Sequence, residues 1–130
     1  MQRKKETLEK PLTEVELELM NVIWDLGDCT VKDVQTRLAN DRELAYTSVA
    51  TIMKILEQKG ALSSRKEDRA HTYRPLISRT DYEATSLRHL EANVFRGDPT
   101  SMVMRLLNDG RISHDELQTI RKILDERLGK

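Results

Sequence analysis

Apolar residues return every three or four positions from Thr13 to Gly60, and from Ala61 that spacing stops. The first period lines one side of a helix; the short runs after the glycine, "ALSSRK" and "AHTYRPLI", carry strand-compatible residues. A chain that changes period at a glycine has to back its helices with a small sheet. Thr13 with Glu16 forms a capping box and opens the first helix, in which Val15, Leu19, Val22, Ile23 and Leu26 make an inward stripe. Glu14, Glu18 and Asp25 face water, and Gly27 ends the segment. Thr30 is the next N-cap, with Val31, Val34 and Leu38 inward, and "ANDRE" is a polar connection. The third helix, within "AYTSVATIMKILEQKG", turns Val49, Ile52, Met53 and Leu56 inward and places Gly60 where a left-handed residue closes the last turn. "EDRA" then supplies the tip of an antiparallel hairpin, and Pro75 marks an edge or an end of its strand. The expected fold is mainly α: a winged helix-turn-helix over residues 12–79, three helices plus a β-hairpin wing, after a charged tail at 1–11.

The outward face of the third helix carries Thr47, Thr51, Lys54 and Gln58, poor material for a core. The chain is neutral overall, yet residues 42–79 hold eight Lys/Arg against four Asp/Glu, while 1–41 hold six against nine and 80–130 eight against nine. In a helix-turn-helix the second helix of the motif enters the DNA major groove. Thr47, Ser48 and Thr51 suit hydrogen bonds to bases or phosphates, Ala50 suits contact with a thymine methyl, and Lys54 reaches guanine acceptors or a phosphate. Arg65, Lys66, Arg69, His71 and Arg74, on the wing and its flank, are placed to neutralise phosphates. A solvated helix face would account for the hydroxyls but not for the clustered charge.

Other classes find less support. No apolar run approaches the roughly 20 residues that cross a bilayer, and the N-terminus has no signal-like stretch, so a cytoplasmic location without membrane association is expected. His71, His89 and His114 show no metal-ligand spacing, and no phosphate loop or catalytic constellation is present; no metal, no cofactor and no enzymatic activity are expected. Cys29 has no partner for an internal disulfide, and it precedes a helix start, where a thiol could be acidified into an oxidation sensor or else lie buried and inert.

"LTEVELELMNVIWDLGDCTVKDVQTRLA", "LAYTSVATIMKILEQKGAL" and "RKEDRAHTYRPLIS" resemble, in that order, the DNA-binding half of the penicillinase-repressor family, the BlaI/MecI/CopY group of bacterial repressors. The likeness spans residues 12–78 and continues more weakly to the C-terminus. It implies a homodimeric winged-helix repressor on a palindromic operator in double-stranded DNA, with Thr47, Ser48, Thr51 and Lys54 at the recognition positions and Trp24 in the core. Three departures bound the inference. Ile55 stands where many members have Arg, so that phosphate contact does not carry over. Arg105-Leu106 replaces the Asn-Phe pair of members controlled by proteolysis, which leaves cleavage by a sensor protease unsupported and any upstream sensor unspecified. The cysteine-rich metal motif of copper-responsive members is absent.

Residues 80–130 read as a helical dimerisation segment. Thr80 with Glu83 and Ser113 with Glu116 are candidate capping boxes for two helices, with "RGDPTS" breaking the chain between them and a short apolar segment at Ser101–Leu107. Leu87, Leu90 and Val94 form one stripe, and Leu117, Ile120, Ile123, Leu124 and Leu128 another. Small helices bury too little alone, so a second copy of the chain is the natural cover. A protein–protein docking module, with the third helix as docking face and negligible DNA affinity, stays open as the other function.

Overall fold

A computed structural model describes residues 11–129 of the chain, so the expected charged tail lies, but for Pro11, outside the described residues. Helix α1 (Glu14–Leu26) starts from a complete capping box: Thr13 Oγ1 accepts from the Glu16 amide at 3.2 Å and Glu16 Oε1 accepts from the Thr13 amide at 2.9 Å. Helix α2 (Val31–Leu38) repeats the device with Thr30 and Asp33. Helix α3 (Tyr46–Gln58) ends ahead of Gly60, whose φ of 89° suits glycine. Strands β1 (Leu62–Glu67) and β2 (Ala70–Pro75) pair antiparallel across a tip at Asp68 and Arg69, with Ser64 opposite Tyr73 and Lys66 opposite His71. The winged helix-turn-helix expected from the change of period is the fold observed.

One feature of the sheet had no signature in the sequence. On its other edge β2 meets the connection between α1 and α2: Cys29 donates its amide to the Tyr73 carbonyl at 3.0 Å and accepts from the Tyr73 amide at 2.7 Å. The core lies beneath. Leu19, Met20 and Ile23 of α1, Val34 and Leu38 of α2, and Val49, Met53 and Leu56 of α3 close over Leu62, Tyr73 and Ile77. Ile52, expected inside, is half-buried at the margin, as are Val15, Val22 and Leu26. Met20 is buried because α1 touches α2, α3 and β2 together, which widens its inward arc.

A charge is also buried. Glu16 is 6% exposed and accepts from Lys59 Nζ at 2.7 Å, tying the start of α1 to the end of α3. Burial pushes its carboxyl pKa up, but the Lys59 ammonium and the Thr13 donors outweigh burial and leave it below the ordinary carboxylate value.

Helix α4 (Arg79–Asn93) does not start from the expected Thr80–Glu83 box. Ser78 Oγ accepts from the Asp81 amide at 3.0 Å instead, so the helix begins a little earlier, on an overlapping Ser-x-x-Asp pattern. Its first turns pack on α1: Trp24 donates Nε1–H to the Ile77 carbonyl at 2.8 Å, and the Tyr82 ring lies 5.9 Å from it. The Arg79 guanidinium sits 5.3 Å over Trp24 and bonds Asp25 at 3.0 Å. Trp24 is thus structural and half-buried.

The chain divides into two units, Met1–Ser86 and Leu87–Lys130, with α4 beginning in the first and ending in the second. In the second unit, α5 (Pro99–Asn108) is capped by Asp98, and α6 (His114–Leu128) by the expected Ser113–Glu116 box. No described residue of this unit is buried: Leu87, Leu90, Val94, Leu117, Ile123, Leu124 and Leu128 are exposed, and Ile120 is half-buried.

Two outcomes are expected of this packing. Glu16→Gln retains an acceptor for the Thr13 amide but removes the charge facing Lys59, and should cost about 1–3 kcal/mol of stability at neutral pH in urea melts. Because the folded-state pKa of Glu16 is lowered, its contribution is present above the ordinary carboxylate value and is lost as pH falls through the folded value. The gap between wild type and variant should therefore close below about pH 4. Cys29 is 2% exposed, and burial, with Asp33 and Asp28 nearby, pushes its thiol up to about 11. Alkylation of the native chain near neutral pH should run at least about a hundredfold slower than in denaturant.

Candidate nucleic-acid interface

Helix α3 presents its outward side because Val49, Met53 and Leu56 commit the other side to the core. Thr47, Ser48, Thr51 and Lys54 are all exposed, and Ala50 is half-buried. The helix also starts differently from the others. Thr13, Thr30, Ser78, Asp98 and Ser113 each place a side-chain oxygen on a first-turn amide of their helices, whereas Ala45, at the N-cap of α3, has none to offer. The first amides of α3 are left to water or to an acceptor from outside, at the end where the peptide dipoles sum to partial positive charge.

Pairing and alternation divide the five cationic candidates of the hairpin into two groups. Lys66 and His71 face each other across the ladder on the side of Tyr73, whose ring lies 6.4 Å from that of His71. Arg69, at the tip, joins His71 in lining a cleft of about 370 Å³ between the hairpin, α3 and the start of α2. Lys32, Tyr46, Ala50 and Lys54 also line that cleft, so three lysine and arginine side chains, from α2, α3 and the hairpin tip, border it.

Arg65 and Arg74 stand on the opposite face and are already engaged. Arg74 Nη2 bonds Asp28 Oδ2 at 3.3 Å, and Arg65 Nη1 lies 3.8 Å from the same oxygen. Arg65 Nε also donates to Glu67 Oε2 at 2.9 Å, while Thr72 donates to Glu67 Oε1 at 3.2 Å. The Arg65 hydrogen bond and charge, with Thr72 adding to them, hold the Glu67 carboxyl below its ordinary value.

Two residues of the cleft escaped the sequence reading. Tyr46 is 51% exposed and shares with Ala50 and Lys54 a stripe at steps of four, one position round from the Thr47–Thr51 stripe. That spacing was visible in the sequence. Lys32 was not separable there from an ordinary exposed lysine, since its neighbours in the cleft come from distant parts of the chain. Among the described residues no group of three or more His, Cys, Asp or Glu is placed to hold a metal ion, and no helix is long and apolar enough to cross a membrane.

Comparisons with known proteins agree with this geometry. The chain is 29% identical over 119 residues to the penicillinase repressor of Bacillus licheniformis, covering 92% of this chain and 93% of that one. It is 30% identical to the transcriptional regulator BlaI of Mycobacterium tuberculosis over 117 residues, 88% of this chain and 83% of the relative. Among solved structures, the DNA-binding domain of the repressor BlaI superposes with a TM-score of 0.50 at 29% identity, covering 63% of this chain and 94% of that domain. Residues 12–126 match the model of the penicillinase repressor family, and the chain belongs to that family.

Proposed function

We propose that this chain is a sequence-specific transcriptional repressor that binds a palindromic operator as a homodimer. The observation that carries the reading is the cleft in which Lys32, Lys54 and Arg69 converge beside the hydroxyl face of α3. One element supplies base-reading groups and its neighbours supply charge. With α3 in the major groove, Thr47, Ser48 and Thr51 read base edges, Ala50 touches a thymine methyl, and Lys54 reaches a guanine or a phosphate. Lys32, Lys66, Arg69 and His71 hold the flanking phosphates, and the uncapped amides of α3 accept one more. The printed names of the relatives, a repressor and a transcriptional regulator, support the same conclusion, as does the likeness to a repressor's DNA-binding domain.

The docking alternative asks α3 for a continuous apolar face. Its large exposed hydrophobic residues are Tyr46 and Ile55, nine positions and so about 13 Å apart along the axis. Such a pair makes no contiguous patch.

The homodimer accounts for the second unit. Leu87, Leu90 and Val94 of α4 and its end, with Leu117, Ile120, Ile123, Leu124 and Leu128 of α6, leave more apolar surface in water than three short helices can sustain. A second copy covers those stripes and carries a second α3. Two-fold symmetry then sets half-sites about 34–36 Å apart, or a multiple of that.

Mobility shifts across a salt series test the whole reading: affinity should fall steeply with salt, and its absence or indifference to salt would sink it. Thr51→Ala should cost about 1–3 kcal/mol of discrimination at one position of each half-site, while Arg69→Ala should weaken operator and random DNA alike. Equal losses on both duplexes for Thr51→Ala would remove that residue from the base-reading set. Leu124→Asp places an unpaired carboxylate in the dimer interface, and should yield a folded monomer with weak, salt-sensitive binding to any DNA. A Leu124→Asp dimer in sedimentation, or a monomer with full operator affinity, would remove residues 80–130 from the role of dimerisation segment.

A further inference from the structure

We infer that Asp28 and Glu67 are built-in counterions that keep the outer face of the wing from binding DNA phosphates, and so hold down the sequence-blind part of the affinity for DNA. The inference rests on the DNA-binding reading above and concerns which of the wing's cations take part.

Backbone pairing puts the cluster together. The Cys29–Tyr73 exchange of hydrogen bonds brings the preceding Asp28 alongside Arg74, where one carboxylate oxygen serves both Arg74 and Arg65. Glu67 lies two residues beyond Arg65 on the same side of β1, and both of its oxygens are taken, one by Arg65 and one by Thr72. Two guanidinium groups thus meet two carboxylates on a face turned away from the cleft. On the other face and at the tip, Lys66, Arg69 and His71 have no acidic partner within the described residues.

Stability does not explain the arrangement. The four side chains are 43–56% exposed, and ion pairs in that setting contribute little to folding. Their effect on the local field is larger, because a phosphate approaching the outer face meets two carboxylates within a Debye length of about 8 Å. Phosphate contacts are blind to sequence, so every one added strengthens random DNA as much as operator. Restricting the wing to Lys66, Arg69 and His71 limits that blind component while leaving the α3 contacts untouched. The wing withholds charge from DNA of any sequence.

The test uses the full chain, a random-sequence duplex, and a duplex selected from a random pool by the wild-type protein, with affinities measured by anisotropy over a salt series. Asp28→Asn combined with Glu67→Gln should tighten binding to both duplexes several-fold, steepen the salt dependence by about 0.9 per phosphate gained, and leave the ratio of selected to random affinity unchanged. Removing the whole neutral cluster, by Asp28→Asn, Glu67→Gln, Arg65→Gln and Arg74→Gln together, should leave affinity and salt slope at wild-type values on both duplexes, whereas Lys66→Gln combined with Arg69→Gln should reduce both. Equal or weaker binding by the acidic-site variant, or a loss of affinity in the fourfold variant, would overturn the inference. If the acidic-site variant is unfolded by circular dichroism, the fourfold variant decides alone. Wild type with no salt-dependent binding to either duplex would sink the DNA-binding reading itself, a result distinct from the other two.

Discussion

Two hydrogen bonds between Cys29 and Tyr73 fix the wing against the rest of the first unit. A hairpin of six-residue strands is marginal in isolation, and a single additional backbone partner on its free edge converts it from a flap into part of the core. Tyr73 is the hinge point of that attachment. Its side chain is buried with Leu62 and Ile77, so the alternation of β2 is set: His71 falls on the side of α3, and Arg74 and Thr72 fall on the other. A slip of one residue would exchange the two faces, send Arg74 toward the cleft and expose an aromatic ring. The proposed interface and its acidic counterpart on the outer face both follow from one register.

The Glu16–Lys59 pair performs the same service for the helices. α3 ends beside the start of α1, and a buried carboxylate with three kinds of donor around it tolerates little displacement. The hydroxyl face of α3 is therefore aimed by contacts at its far end and along its apolar side, in which the exposed Thr47, Ser48 and Thr51 take no part. Surface substitutions in Thr47, Ser48 or Thr51 are free to change what is read without changing how the helix is held.

Local patterns in the sequence were sufficient for the elements. The switch of period at Gly60, the Thr13–Glu16 and Ser113–Glu116 boxes and the polar "EDRA" tip each specify a structure within a few residues, and each is found. Where two local signals overlapped, as at Ser78 and Thr80, the pattern alone did not choose between them, and packing of Trp24 and Tyr82 accompanies the earlier start. What was illegible is uniformly long-range. Glu16 reads as a capping residue, but its ion pair lies 43 residues away. Arg74 reads as a free cation, but Asp28, 46 residues earlier, occupies it. Lys32 and Tyr46 become neighbours of Arg69 through the folded wing alone. Residue type and spacing report which groups a chain carries; the partner each one finds depends on register.

Ala45 gives the start of α3 an unusual thermodynamic position. A Ser, Thr or Asp there would stabilise the helix by about 1 kcal/mol, and it would do so by occupying the same amides that a phosphate would use. An internal cap and an external anion are competitors for one set of donors. The first turn of α3 consequently lacks the side-chain tether of the other helices, and any ligand that supplies the missing acceptor is credited with helix stability as well as with its own contacts. Binding affinity at this end and local folding are one equilibrium.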